Sequence, residues 1–195
     1  LGASLCVPAA AGTNHMSNFR KTATYSNQFR DMARGAWYRS AVQTCYEYKL
    51  MSGASSTAFK PGSTLSVAEA IAMADRIHSI YTYGSCSLQS GSGSSWYQPF
   101  VDYALKNGVI QRGDFDNYTR PVTRAEMAYI FADALPPAEL HAVNSIDHLT
   151  DVPRGKYYNS ILLLYNAGVL TGSGISTRRS ASVPPVEAPM AMRLC

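Results

Sequence analysis

The chain has 195 residues, 46% of them hydrophobic and 15% charged, enough for one or two packed domains or a short array of repeats. This composition excludes a disordered chain, and no apolar run reaches the roughly 18 residues of a membrane span. A net charge of +4 favours an acidic polymer but is too small and too scattered for a nucleic-acid binder.

From Leu1 to Ala11 the sequence is apolar and ends in the small residues Ala9 and Ala11, as the tail of a secretory signal does. Residues 1–27 are therefore read as a signal remnant and tail, which would place the protein outside the cytoplasm. Cys6, Cys45, Cys86 and Cys195 show no CxxC spacing and no histidine at metal-ligand spacing. A disulfide framework is not expected, and Cys45 reads as a small core residue.

Self-similarity governs the rest. Tyr38, Tyr97 and Tyr157 recur at spacings of 59 and 60, as do Lys49, Gly108 and Gly168. Glu69, Glu126 and Glu187 follow at 57 and 61. The resulting units span residues 28–84, 85–137 and 138–195.

Each unit reads as helix, loop, helix. Tyr38, Ala41, Val42, Cys45 and Tyr46 fall at helical spacing, as do Tyr97, Phe100, Val101, Ala104 and Leu105, and then Tyr157, Ile161, Leu164 and Tyr165. Gly108 and Gly168 stop the helix in left-handed conformation, whereas Lys49 lacks that freedom and predicts a differently built end. Ser66-Val67-Ala68-Glu69 and Thr123-Arg124-Ala125-Glu126 match a capping box that opens the second helix. Apolar faces follow at Ala70, Ile71, Ala74 and Ile77, and at Met127, Ile130, Phe131 and Ala134. The stretch from Gly84 to Ser95 reads as a flexible Gly/Ser linker. Pro136-Pro137 ends the second unit, and a short helical segment is expected from Ala138 to Ser145. In the third unit Val183-Pro184-Pro185-Val186-Glu187 replaces the capping box, and Pro189 predicts a short or displaced last helix.

These ordered pieces resemble the S-layer homology domain. They are Phe29 and Asp31 ahead of Trp37-Tyr38, Phe59-Lys60-Pro61 ahead of Ser66, Trp96-Tyr97, Gly108-Val109-Ile110, Phe115, Thr123-Arg124-Ala125-Glu126, and Asp151-Val152-Pro153 with Tyr157. The resemblance covers about residues 28 to 195 and implies an all-α fold. Three helix-loop-helix repeats, the third degenerate, would pack as a pseudo-threefold trimer around a central helical bundle. It implies a non-catalytic wall anchor of a surface or S-layer protein, located at the cell wall. The implied partner is a secondary cell-wall polymer linked to peptidoglycan, an acidic and often pyruvylated glycan held in grooves between repeats. The implied glycan-binding residues are Arg124, Thr123, Glu126, Trp96, Trp37, Asp31 and Gly108, with no metal and no cofactor.

The physics of the residues is compatible with this. A guanidinium at a helix start can grip a ketal carboxylate with two hydrogen bonds, although Arg124 also reads as a solvated first-turn residue. Trp37 and Trp96 read equally as sugar-stacking platforms and as core-edge aromatics, and Asp31 and Asp151 also read as helix caps. Val67 and Pro185 stand where the motif has arginine, and Lys156 where the other units have tryptophan. One competent groove, lined by Arg124 and a neighbouring unit, is therefore expected.

Other classes fit less well. His15, His78, His141 and His148 are scattered, and no nucleophile, zinc or phosphate-loop motif accompanies them. Asp114-Phe115-Asp116-Asn117 opens like a calcium loop, but Thr119 holds the place of its glycine and Glu126 falls one position late. The remaining alternative is a protein-interaction or assembly module whose glycan binding has decayed.

Overall fold

A computed structural model of the chain describes residues 15–171. Its helices are α1 (Arg39–Glu47), α2 (Val67–Tyr83), α3 (Gln98–Asn107), α4 (Arg124–Ala132) and α5 (Tyr158–Asn166). Among the described residues there is no β-strand, only an isolated antiparallel bridge between Ser66 and Pro121. No helix there is long and apolar enough to cross a membrane.

α2 holds the structure together. Eleven of its 17 residues are buried, on more than one face, because it packs against both α3 and α4. Ala70, Ala74 and Ala104 are small enough to let the helices approach closely, and Ile71, Phe100, Met127 and Ile130 fill the space between them. Fully burying each of these four larger side chains is worth roughly 1.5–3 kcal/mol. α4 in turn packs on α5, with Leu164 and Leu170 in the same continuous core. A separate aromatic cluster of Tyr25, Phe29 and Phe59, with Met32 and Val42, binds the N-terminal arm to α1. Gly53 closes this cluster at φ +80°, where an added Cβ would lie 2.5 Å from the Phe29 ring.

Both capping boxes form. Glu69 N–H donates to Ser66 Oγ and Ser66 N–H to Glu69 Oε2, and the Thr123–Glu126 pair repeats the arrangement. α4 ends at Ala132, short of the proline pair, although Ala134 remains buried.

Four expectations need correction, and others fall outside the described residues. Lys49 adopts φ +58°, so the end of α1 is built like those at Gly108 (φ +75°) and Gly168 (φ +72°), with a side chain in a conformation that usually selects glycine. The 84–95 segment is pinned rather than free: Ser79 Oγ donates to Ser85 O, Gly91 N–H donates to Trp96 O, and Leu88 packs on the main core. In place of a helix over 138–145 there is one 3-10 turn, Pro137–Glu139, after which the backbone N–H groups of Val143 and Asn144 donate to Asn166 O. That carbonyl lies at the end of α5 and offers the passing chain an acceptor, so no helix is needed to satisfy it. Cys45 is fully buried and disulfide-bonded, against expectation, while Cys86 is the free cysteine among the described residues. The expected signal remnant over 1–11 and the displaced helix after Val183 lie outside the described residues.

Candidate functional site

The segment entering α2 and the one leading to α4 meet along a short backbone seam. Val122 N–H donates to Leu65 O, while Val67 N–H and Ala68 N–H donate to Arg120 O and Tyr118 O. The free N–H groups at the start of α2 are thus consumed by the passing 118–122 segment and by Ser66. Val67, at the motif's arginine position, is completely covered there.

Beside this seam lies a groove of about 640 Å³, lined by Ser52, Lys60, Thr64, Glu69, Arg76 and Trp96, among others. Asp31 does not line the groove but holds the loop that does. Its carboxylate accepts Phe59 N–H at 2.9 Å and Lys60 N–H at 2.6 Å, which fixes the loop carrying Lys60 at φ +59°. The Phe59 and Lys60 N–H groups hold the Asp31 carboxyl below its ordinary range. Asp31 therefore acts in this structure as a loop clamp.

Trp96 is half-buried, edge-on to Tyr97 and Phe100, and lines the groove. Arg76 lies on the floor with its guanidinium 5.4 Å from the Phe100 ring centroid, and its Nη1 donates to Leu50 O at 3.3 Å. No carboxylate among the described residues forms an ion pair with it. Burial pushes the Arg76 pKa down, although a guanidinium remains charged at any relevant pH.

At the start of α4 the chain uses its own polar groups. Glu126 accepts Arg120 Nη2 at 2.6 Å and Nη1 at 2.9 Å, and it also accepts Thr123 N–H. The Arg120 guanidinium holds the Glu126 carboxyl at about 2, against the opposing effect of burial. Thr123 and Glu126 are thus engaged in helix capping and an internal ion pair. Arg124 is exposed, forms no ion pair among the described residues, and is not among the residues lining the Trp96 groove. Its counterpart Val67 sits under the neighbouring 118–122 segment.

The remaining expected residues are dispersed. Trp37 is 55% exposed and stacks edge-on against Tyr38. Gly108 caps α3 and lines a smaller cavity of about 250 Å³ with His78 and Asp133. Lys156, at the tryptophan position, lies partly exposed over the junction of α4 and α5. Its Nζ is 2.7 Å from Asp114 Oδ1 and lies 5.0 Å from the Tyr129 ring centroid, with the Phe115 and Tyr157 rings at 5.6 and 5.5 Å. Asp114 Oδ2 accepts Tyr129 Oη–H and Gln111 N–H, so the residue that suggested a calcium loop is already occupied on both oxygens.

Sequence reading missed Lys60 and Arg76 as groove residues. Lys60 carried a usable signal, since it follows the motif phenylalanine, while Arg76 had none beyond being a charge in an apolar helix.

The chain is 26% identical over 111 residues to a surface-layer 125 kDa protein of Lysinibacillus sphaericus, a match covering 53% of this chain and 9% of that protein. It is 29% identical over 120 residues to an amylopullulanase of Thermoanaerobacterium thermosulfurigenes, covering 56% of this chain and 6% of the enzyme. The matched region thus spans less than a tenth of either relative's length. Residues 28–71, which contain Asp31, Lys60 and the first capping box, match the family model of the S-layer homology domain.

Proposed function

We propose that the chain is a non-catalytic anchoring module that tethers a larger surface protein to the cell wall, outside the cytoplasm. Its ligand is an acidic glycan of a secondary cell-wall polymer, pyruvylated at the recognised sugar. The observation that carries this reading is the groove beside the seam, lined by Lys60, Arg76 and Trp96 together, in a chain whose residues 28–71 match the S-layer homology domain. Cations and an indole ring lining one groove suit a sugar acid: the charge holds the carboxylate, and the ring face covers the apolar face of the sugar. Arg124 contributes at the next seam by the same chemistry, because its motif position lies at a unit junction in the first unit.

The test is binding to purified wall polymer. Trp96→Ala and Arg124→Ala are each expected to weaken retention about tenfold, with folding unchanged for the exposed Arg124. Unchanged retention would remove the substituted residue from the site, and unchanged retention in both would overturn the groove reading.

A second reading has its own support. Thr123 and Glu126 are spent internally, and Lys156 is ion-paired to Asp114 beside α4. On that reading the module assembles with other surface proteins, and retention by sacculi survives removal of the polymer.

A further inference from the structure

A second cavity of about 690 Å³ lies on the other side of Arg76. Two of its walls come from segments outside the family match: the arm from Asn18 to Ala23 and the connector from Gly84 to Leu88. These walls are held in place. Thr22 N–H and Ala23 N–H donate to Glu47 O at 2.9 and 3.1 Å, and Asn18 Nδ2 donates to Tyr81 O at 2.8 Å.

The lining carries three cations, Arg20, Lys49 and Arg76, and no carboxylate. A half-buried guanidinium without a counterion is unfavourable, and an anion from outside would relieve it. Lys49 adds an independent observation. It occupies a left-handed position at φ +58° where both counterparts are glycine, and it lines this wall.

We infer that this cavity is a second anion site, which takes a compact oxyanion, carboxylate or phosphate, carried on a sugar or polyol. Arg76 meets the oxyanion at the floor, Lys49 and Arg20 at the rim, and Tyr46 and Tyr48 flank its carbon skeleton. Met51, Ser52 and Arg76 line both this cavity and the Trp96 groove, so the two are contiguous. A linear polyanion with successive acidic groups fits both at once. The source of the ligand rests on the anchoring reading, but the charge and shape of the cavity do not.

The experiment titrates the full chain with methyl β-glucuronide in one arm and glycerol 3-phosphate in the other, following amide NMR shifts. Saturable shifts at Thr22, Ala23, Gly84 and Ser85 are expected in at least one arm, and the responding arm identifies a carboxylate or a phosphate source. Combining Arg20→Gln with Lys49→Asn should weaken that binding at least tenfold, because asparagine tolerates the left-handed conformation and Arg20 is exposed. No saturable shift at these amides with either probe, or shifts that survive the double substitution, would overturn the second site. Shifts confined to Ser63, Thr64 and Trp96 would also overturn it while leaving the groove reading standing. Loss of groove binding alone would do the reverse.

Discussion

Asp75→Asn is expected to stabilise the protein at pH 8 and to leave it nearly unchanged at pH 4. Asp75 is completely buried in α2, and neither carboxylate oxygen has a hydrogen-bond partner among the described residues. Desolvation raises its pKa from 3.8 to about 8, and the nearby Arg76 charge offsets this only in part. The folded state therefore keeps a proton that the unfolded chain releases above pH 3.8. The resulting penalty is absent below 3.8, grows as pH rises, and levels off above about 8. At pH 7 it amounts to about 4 kcal/mol, since each tenfold difference in proton affinity between the folded and unfolded chain is worth about 1.4 kcal/mol. An amide cannot ionise, so Asn removes this pH-dependent part while keeping the size and polarity of the side chain. Melting followed by circular dichroism should rise on the order of 10 °C at pH 8. A variant that melts lower than the parent at pH 8 would mean that the carboxylate is satisfied in solution.

The second large effect has the opposite sign. Glu126 is 6% exposed and bound twice by Arg120, with its pKa lowered from 4.5 to about 2. A depressed carboxylate stabilises the fold above its unfolded value, and this stability is lost as pH falls from 4.5 through about 2. Glu126→Gln should cost about 2–3 kcal/mol at neutral pH, because it leaves Arg120 without its counterion and weakens the cap of α4. The difference between parent and variant should shrink steadily below pH 4.5. A constant difference down to pH 2 would show that shape, not charge, carries the effect. Taken together, the two carboxyl groups place maximum stability near pH 4–5.

Local features were the most legible in the sequence. The capping boxes at Ser66 and Thr123 depend on side chains three residues apart, and both formed. The faces at Ala70, Ile71 and Ala74 and at Met127 and Ile130 are buried because helical spacing fixes which side a residue presents. Lys49 was misread because its left-handed angle is unusual for a side chain, and the tertiary setting outweighed local preference.

The site was less legible. Asp31 meets the Phe59 and Lys60 amides across 28 and 29 residues, and Arg76 reaches the Leu50 carbonyl from another helix. The contacts of the exposed Lys156 draw on three segments, and its lysine looked in sequence like a lost tryptophan. None of these contacts has a period or a spacing to announce it. The connector at 84–95 was misjudged for a related reason: its composition is that of a free linker, but a helix side chain and the core hold it.

The central claim is that the domain grips the glycan of the wall. Its most direct measurement is co-sedimentation of the chain with cell-wall sacculi before and after chemical extraction of the secondary polymer. The account predicts strong retention on native sacculi and little on extracted ones. Equal retention on both would contradict it and point to a protein partner instead.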